Sequence, residues 1–121
     1  RVRSSSNASG FIGFVMFGNS NLAGNNGLAE LRFGGDKAYL SVDGKSVTPS
    51  IPPNDWLQIS YENINWQTNK MDIVFKNENG QEFYSLSSQA FWHDKTDNIS
   101  RIHLYNTGTG WAYYDGFTFT E

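Results

Sequence analysis

Three side chains near the carboxyl end of this chain could do chemistry together: Arg101, His103 and Tyr105, separated by the apolar residues Ile102 and Leu104. A spacing of two is the period of a β-strand, so Ile102 and Leu104 point one way and the three polar groups the other. The apolar pair is expected to face a core. The opposite face then carries a cation, an imidazole and a phenol in a row, an arrangement able to hold a polar ring such as a sugar. An antiparallel sheet that turns one polar face to water gives the same alternation. One strand alone does not choose between the two. Arg32 and Tyr39 would join the row if neighbouring strands bring them into register.

A sugar ring has a polar rim and an apolar C–H face. Exposed Trp or Tyr packs on that face, while charged and amide groups bond adjacent hydroxyls. Trp66, Trp92 and Trp111 lie in or beside turns and are the stacking candidates, a core plug beneath a loop being the alternative for each. Trp56 opens an alternating strand after Pro52 and Pro53 and is expected in the core. His93 has no second histidine at a metal-ligand spacing. Asp94, Asp97 and Asn98, and Asn25-Asn26-Gly27, offer oxygens of the kind calcium takes, but neither fits the EF-hand loop and turn propensity explains both. Asn7-Ala8-Ser9 and Asn98-Ile99-Ser100 are formal glycosylation acceptors, a short motif that often occurs by chance.

The elements that must position these groups are strands. The chain has 121 residues, a length for one domain spanning 1–121. Aromatics make up 16%, alongside twelve glycines, and no periodic array of helix formers occurs. Aromatic and β-branched residues suit pleated surfaces, and Gly, Asn and Ser suit turns. Strand-like runs at short, even spacing predict roughly nine strands in a two-sheet antiparallel sandwich. Leu57, Ile59 and Tyr61 should share one face, as should Met71, Ile73 and Phe75; Asp43-Gly44 is the strongest hairpin signal. Asn19 to Gly27 is a long loop of the kind that often carries function. The net charge of −3, with no Lys/Arg cluster, argues against a nucleic-acid partner. The absence of cysteine excludes disulfides and thiolate chemistry, and no apolar run is long enough to insert in a bilayer as a helix.

Several stretches together resemble a known family. Trp-Leu-Gln-Ile-Ser-Tyr from Trp56 and Met-Asp-Ile-Val-Phe from Met71 are followed by Ser-Arg-Ile-His-Leu-Tyr-Asn from Ser100 and Ala-Tyr-Tyr-Asp-Gly-Phe-Thr-Phe from Ala112. This order resembles the concanavalin A-like, laminin-G-like jelly rolls, above all the accessory modules of secreted bacterial enzymes that act on polysaccharides. The resemblance covers Leu28 to Glu121. It implies a jelly roll whose concave sheet or loop-lined end binds glycan, other modules on the same polypeptide, and a secreted or cell-surface place outside a bacterium. Such modules are longer at the amino end, which implies that opening strands are lacking here. It also implies a structural calcium ion with Asp115 as a ligand, although the usual partner ligands have no match.

Hydrolysis of a glycosidic bond needs two carboxylates flanking it. The jelly-roll glucanases carry theirs alternating on one strand, whereas Glu30, Glu62, Glu78 and Glu82 are scattered. Jelly-roll alginate lyases use His, Tyr and Arg for β-elimination, and Arg101 to Tyr105 has those residue types without the Gln-Ile-His form of the lyase motif. The expectation is a non-catalytic carbohydrate-binding module with Arg101, His103, Tyr105, Tyr39, Trp66, Trp92 and Trp111 as ligand contacts. A polysaccharide lyase and a structural or protein-binding sandwich are the alternatives.

Overall fold

A computed structural model gives the fold and describes residues 1–4, 12–17, 27–34, 37–42, 45–51, 55–93 and 98–120. Among these there is no helix. Ten strands run in order: β1 (Val2–Ser4), β2 (Ile12–Phe17), β3 (Gly27–Gly34), β4 (Lys37–Val42), β5 (Lys45–Val47), β6 (Gln58–Asn65), β7 (Lys70–Lys76), β8 (Glu82–Ala90), β9 (Arg101–Asn106) and β10 (Ala112–Tyr114). All pairings are antiparallel. One sheet has the order β5-β4-β3-β2-β9. The other strands form β6-β7-β8 and the pair β1-β10, which reciprocal bonds between Val2 and Leu57 (2.9 and 2.8 Å) join edge to edge.

The two layers share one hydrophobic core. Leu31, Phe33, Ala38, Leu40 and Val42 come from the first sheet, and Leu57, Met71, Ile73 and Phe75 from the second. Strand alternation explains the selection: in β7 the residues between Met71, Ile73 and Phe75 are only partly buried. Ile59 and Tyr61 pack against the core beside Leu57, as their spacing predicts. The segment after β8 stitches the layers together. There the Trp92 amide donates to Leu28 O (2.8 Å) and the His93 amide to Gly27 O (3.0 Å), while Phe91 fills the core.

Some expectations need correction. Leu104 has the inward parity but is 44% exposed on the edge strand β9, whereas Ile102 of the same strand packs against the core. Trp56 is half-buried with the Arg1 guanidinium over its ring, and Leu57 is the core residue. The final strand stops at Tyr114, leaving Phe117 and Phe119 unpaired by any ladder and exposed. The Asn19–Asn26 part of the long loop, Asp43-Gly44, Asp94 to Asp97 and the Asn7 acceptor lie outside the described residues, although β4 and β5 do pair as a hairpin across 43–44.

Asp72 fixes the middle of the second sheet. Its Oδ2 accepts from Asn63 Nδ2 (2.7 Å) and its Oδ1 from the Ser88 amide (2.6 Å), so one carboxylate spans β6, β7 and β8. Asn63 and Ser88 both have left-handed backbones (φ 50° and 55°), beside register irregularities in both ladders. The Asn63 bond, and then the Ser88 bond, hold the Asp72 carboxyl below its ordinary value of 3.8. Its contribution to stability is therefore full above that value and is lost as pH falls through the lower folded value. Asp72→Asn is expected to lower Tm at pH 7 and to flatten the acid limb of stability, checked by thermal melts between about pH 7 and pH 2.

Candidate functional site

The outward face of the five-stranded sheet collects polar residues from three strands, β9, β3 and β4, across β2. Tyr105 of β9 is in register with Gly13 of β2, Gly13 with Arg32 of β3, and Arg32 with Tyr39 of β4. The next row runs His103, Val15, Glu30, Ser41. Sheet register thus does what a single strand could not: Arg32 and Tyr39 lie in the same cross-strand row as Tyr105.

Glu30 is the centre of this face. Its Oε1 accepts from the Tyr105 hydroxyl (2.6 Å), and its Oε2 from Ser41 Oγ (3.4 Å), with Arg32 Nε at 3.6 Å from the same oxygen. The Glu30 side chain is only 15% exposed, and a partly desolvated carboxylate needs these donors. Tyr105 reaches it from two strands away, a distance of about 10 Å between strand axes. Gly13 lies between them and has no side chain to stand in the way. The backbone leaves no room for one: a Cβ on Gly13 would collide with the Leu31 carbonyl oxygen and lie 2.9 Å from Arg32 Cα.

Burial, and then the bond to Glu30, push the Tyr105 hydroxyl far above the ordinary phenol range, so it is a neutral donor at any physiological pH. The His103 ring stands 6.1 Å from the Tyr105 ring, centre to centre, at an angle of 60°. His103 and Arg101 are exposed, while Tyr39, Arg32 and Tyr105 are half-buried. Lys37, exposed on β4, has the same parity as Tyr39. The described charges on this face are thus Arg32, Lys37 and Arg101 against Glu30, a positive excess in a chain of net charge −3.

The tryptophans divide. The Trp92 and His93 rings pack at 4.7 Å, tilted by 34°, over Gly27, where a Cβ would lie 2.8 Å from Trp92 Cε3. Gly27 is in register with Phe17, and Phe17 with Arg101, so Trp92 stands at the Arg101 end of the polar face. Trp66 leans edge-on against the core residue Phe91 at 5.5 Å and is 36% exposed, at the β6–β7 turn of the other sheet. Trp111 belongs to the opposite side of the sandwich. It packs on Tyr113 (4.9 Å) under the Arg3 guanidinium (5.8 Å), and Arg3 pairs with Tyr113 across β1 and β10. Trp111 thus stands with β1 and β10 and outside the cross-strand row that holds Tyr105.

Asp115, the residue expected as a calcium ligand, is engaged by a cation of the chain itself. Its carboxylate pairs with Arg1 Nη2 at 2.6 Å, and among the described residues no three of His, Cys, Asp or Glu cluster to hold a metal ion. Sequence reasoning set Glu30 aside as one scattered acid and passed over Gly13 and Ser41. The signal for two of them was present: a two-residue link between Gly34 and Lys37 sets Arg32 opposite Tyr39 and Glu30 opposite Ser41.

Comparison with known proteins adds nothing to this geometry: no family model, no curated protein and no solved structure matches the chain.

The Tyr105–Glu30 bond is testable by itself. Tyr105→Phe removes one donor from a half-buried carboxylate and should cost about 1–2 kcal/mol, measured by urea unfolding; a change near zero would mean that water replaces the hydroxyl.

Proposed function

We propose that this chain is a non-catalytic carbohydrate-binding module whose ligand lies on the outward face of the five-stranded sheet. The observation that carries the reading is the cross-strand row Tyr105–Gly13–Arg32–Tyr39 beside His103, Glu30 and Ser41. It offers donors, an acceptor and aromatic edges on a rigid floor, a combination that suits vicinal hydroxyls. The cations Arg101, Arg32 and Lys37 favour a glycan that also carries carboxylate or sulfate groups. Trp92, at the Arg101 end, is the candidate for stacking on a sugar ring. A jelly-roll arrangement of the sandwich, a place outside the cell and attachment to a polysaccharide-active enzyme accompany this reading.

Binding is favoured over β-elimination by the state of Tyr105. A lyase needs a tyrosine that exchanges its proton with the sugar. Here the hydroxyl is committed to Glu30 and its pKa is raised by burial, so it makes a poor acid or base.

Affinity electrophoresis in gels containing uronan, sulfated or neutral polysaccharide tests the proposal. The wild type should be retarded by an anionic polysaccharide. Arg101→Ala, Tyr39→Ala and Trp92→Ala should each weaken retention about tenfold, or roughly 1.4 kcal/mol, while Trp111→Ala, on the opposite face, should not. Retention that survives all three substitutions would remove the site from this face, and accumulation of unsaturated product absorbing in the ultraviolet would make the protein a lyase.

A further inference from the structure

The cations of the polar face are not gathered in one spot. Arg101 stands on β9, Arg32 on β3 and Lys37 on β4, and the ladders fix their relative positions. Arg101 lies two outward-facing positions from Tyr105 along β9, and the Tyr105 row crosses Gly13 to reach Arg32, two strands away. Lys37 is in register with Gly34, one outward-facing position beyond Arg32 and one strand further on. Each interval thus moves as many rows along the strands as it crosses strands. Steps in that fixed proportion are collinear, so Arg101, Arg32 and Lys37 lie on one diagonal of the sheet. At about 6.8 Å per row and about 4.8 Å per strand, the two intervals are about 17 Å and about 8 Å, and the whole line is about 25 Å.

The other groups of the face sort to either side of this line. His103 and Tyr105 of β9 lie on one side, Tyr39 and Ser41 of β4 on the other. Tyr105 and Tyr39 share the row of Arg32. Glu30, the acid among the described charges of this face, lies off the line in the Ser41 row. The Tyr105 hydroxyl bonds its carboxylate at 2.6 Å, and Arg32 stands at 3.6 Å. From Glu30 the two ends of the line, the exposed Arg101 and Lys37, are about 12 and 14 Å away.

These separations decide what kind of ligand gains from all three cations. The Debye length at physiological ionic strength is about 8 Å, so Arg101 and Lys37 are about three such lengths apart and one anionic group feels only one of them. A pyranose unit advances its chain by about 5 Å, close to one strand spacing, so no single sugar spans even the shorter interval. Anions joined along one chain do meet both ends, and each later contact is favoured because the chain is already held.

Resting on the glycan reading of this face, we propose that its ligand is a linear polyanionic polysaccharide held along its length, crossing the strands on the Arg101–Arg32–Lys37 diagonal. The track takes about five sugar units. Tyr105 and Tyr39 flank the chain where it passes Arg32, and Trp92 stands at the end marked by Arg101. Recognition is then by length and charge, not by one terminal sugar.

Titration calorimetry with the disaccharide, tetrasaccharide and hexasaccharide of a linear uronan, and of a linear sulfated galactan, tests the track. In at least one series the hexasaccharide should bind more than about tenfold tighter than the disaccharide. Arg101→Ala and Lys37→Ala, both at exposed positions, should each remove most of that gain, and the double variant all of it. Lys76→Ala, on the other sheet, should leave it unchanged. Equal affinity for disaccharide and hexasaccharide, or a gain that survives in the double variant, would overturn the track and leave glycan binding intact. Absence of binding in both series would also overturn it; the glycan reading then stands if a polysaccharide still retards the protein in gels, and falls with the track if none does.

Discussion

A slip of β3 by one residue would drive Glu30 and Arg32 into the space that Leu31 and Phe33 now fill. That constraint governs the molecule. Leu31 and Phe33 are fully buried against the opposing layer, and no partner there could pay for a carboxylate and a guanidinium in their place. With β3 pinned, β4 follows through a two-residue turn, and β2 and β9 follow through their ladders. The core and the polar face are therefore one decision seen from two sides. The bond from Tyr105 to Glu30 across Gly13 reinforces the same register from the outward side.

Gly13 shows how small a change would separate the two functions of this sheet. It is buried, its neighbours are Leu31 O and Arg32 Cα, and the phenol of Tyr105 extends across its strand to Glu30. A side chain there would collide with the β3 backbone and disturb the ladder that sets this register. Elsewhere the fold spends polar groups on local geometry. Asn65 Oδ1 caps the β6–β7 turn by accepting from the Gln67 and Thr68 amides, and Asn77 Oδ1 does the same at the next hairpin with Asn79 and Gln81. Asp72 does it across three strands. The second sheet is thus held by Asx-type contacts, while the first keeps its long polar side chains for its surface.

Much of this was legible in the sequence because alternation is local. Met71, Ile73 and Phe75 declare a buried face within five residues, and the all-β character follows from aromatic and turn composition. The row containing Arg32 and Tyr39 was only half legible. The Gly34–Lys37 hairpin sets β3 against β4, but β2 and β9 meet from opposite ends of the chain, and no turn fixes that pairing. The burial of Leu104 was misjudged because parity tells which way a side chain points and not whether anything covers it. Trp111 was grouped with Tyr105 for a similar reason: two residues of one terminal hairpin pattern belong to different sheets, since β10 pairs with β1 and β9 with β2.

The claim that the outward face of the five-stranded sheet takes the ligand is tested most directly by residue-resolved NMR during titration with an anionic oligosaccharide. Perturbations should be largest at Arg32, Tyr39, Arg101, His103 and Tyr105, extend to Trp92, and leave Trp111 and Tyr113 unmoved. Perturbations confined to Trp111 and Tyr113, or none with any oligosaccharide, would contradict it.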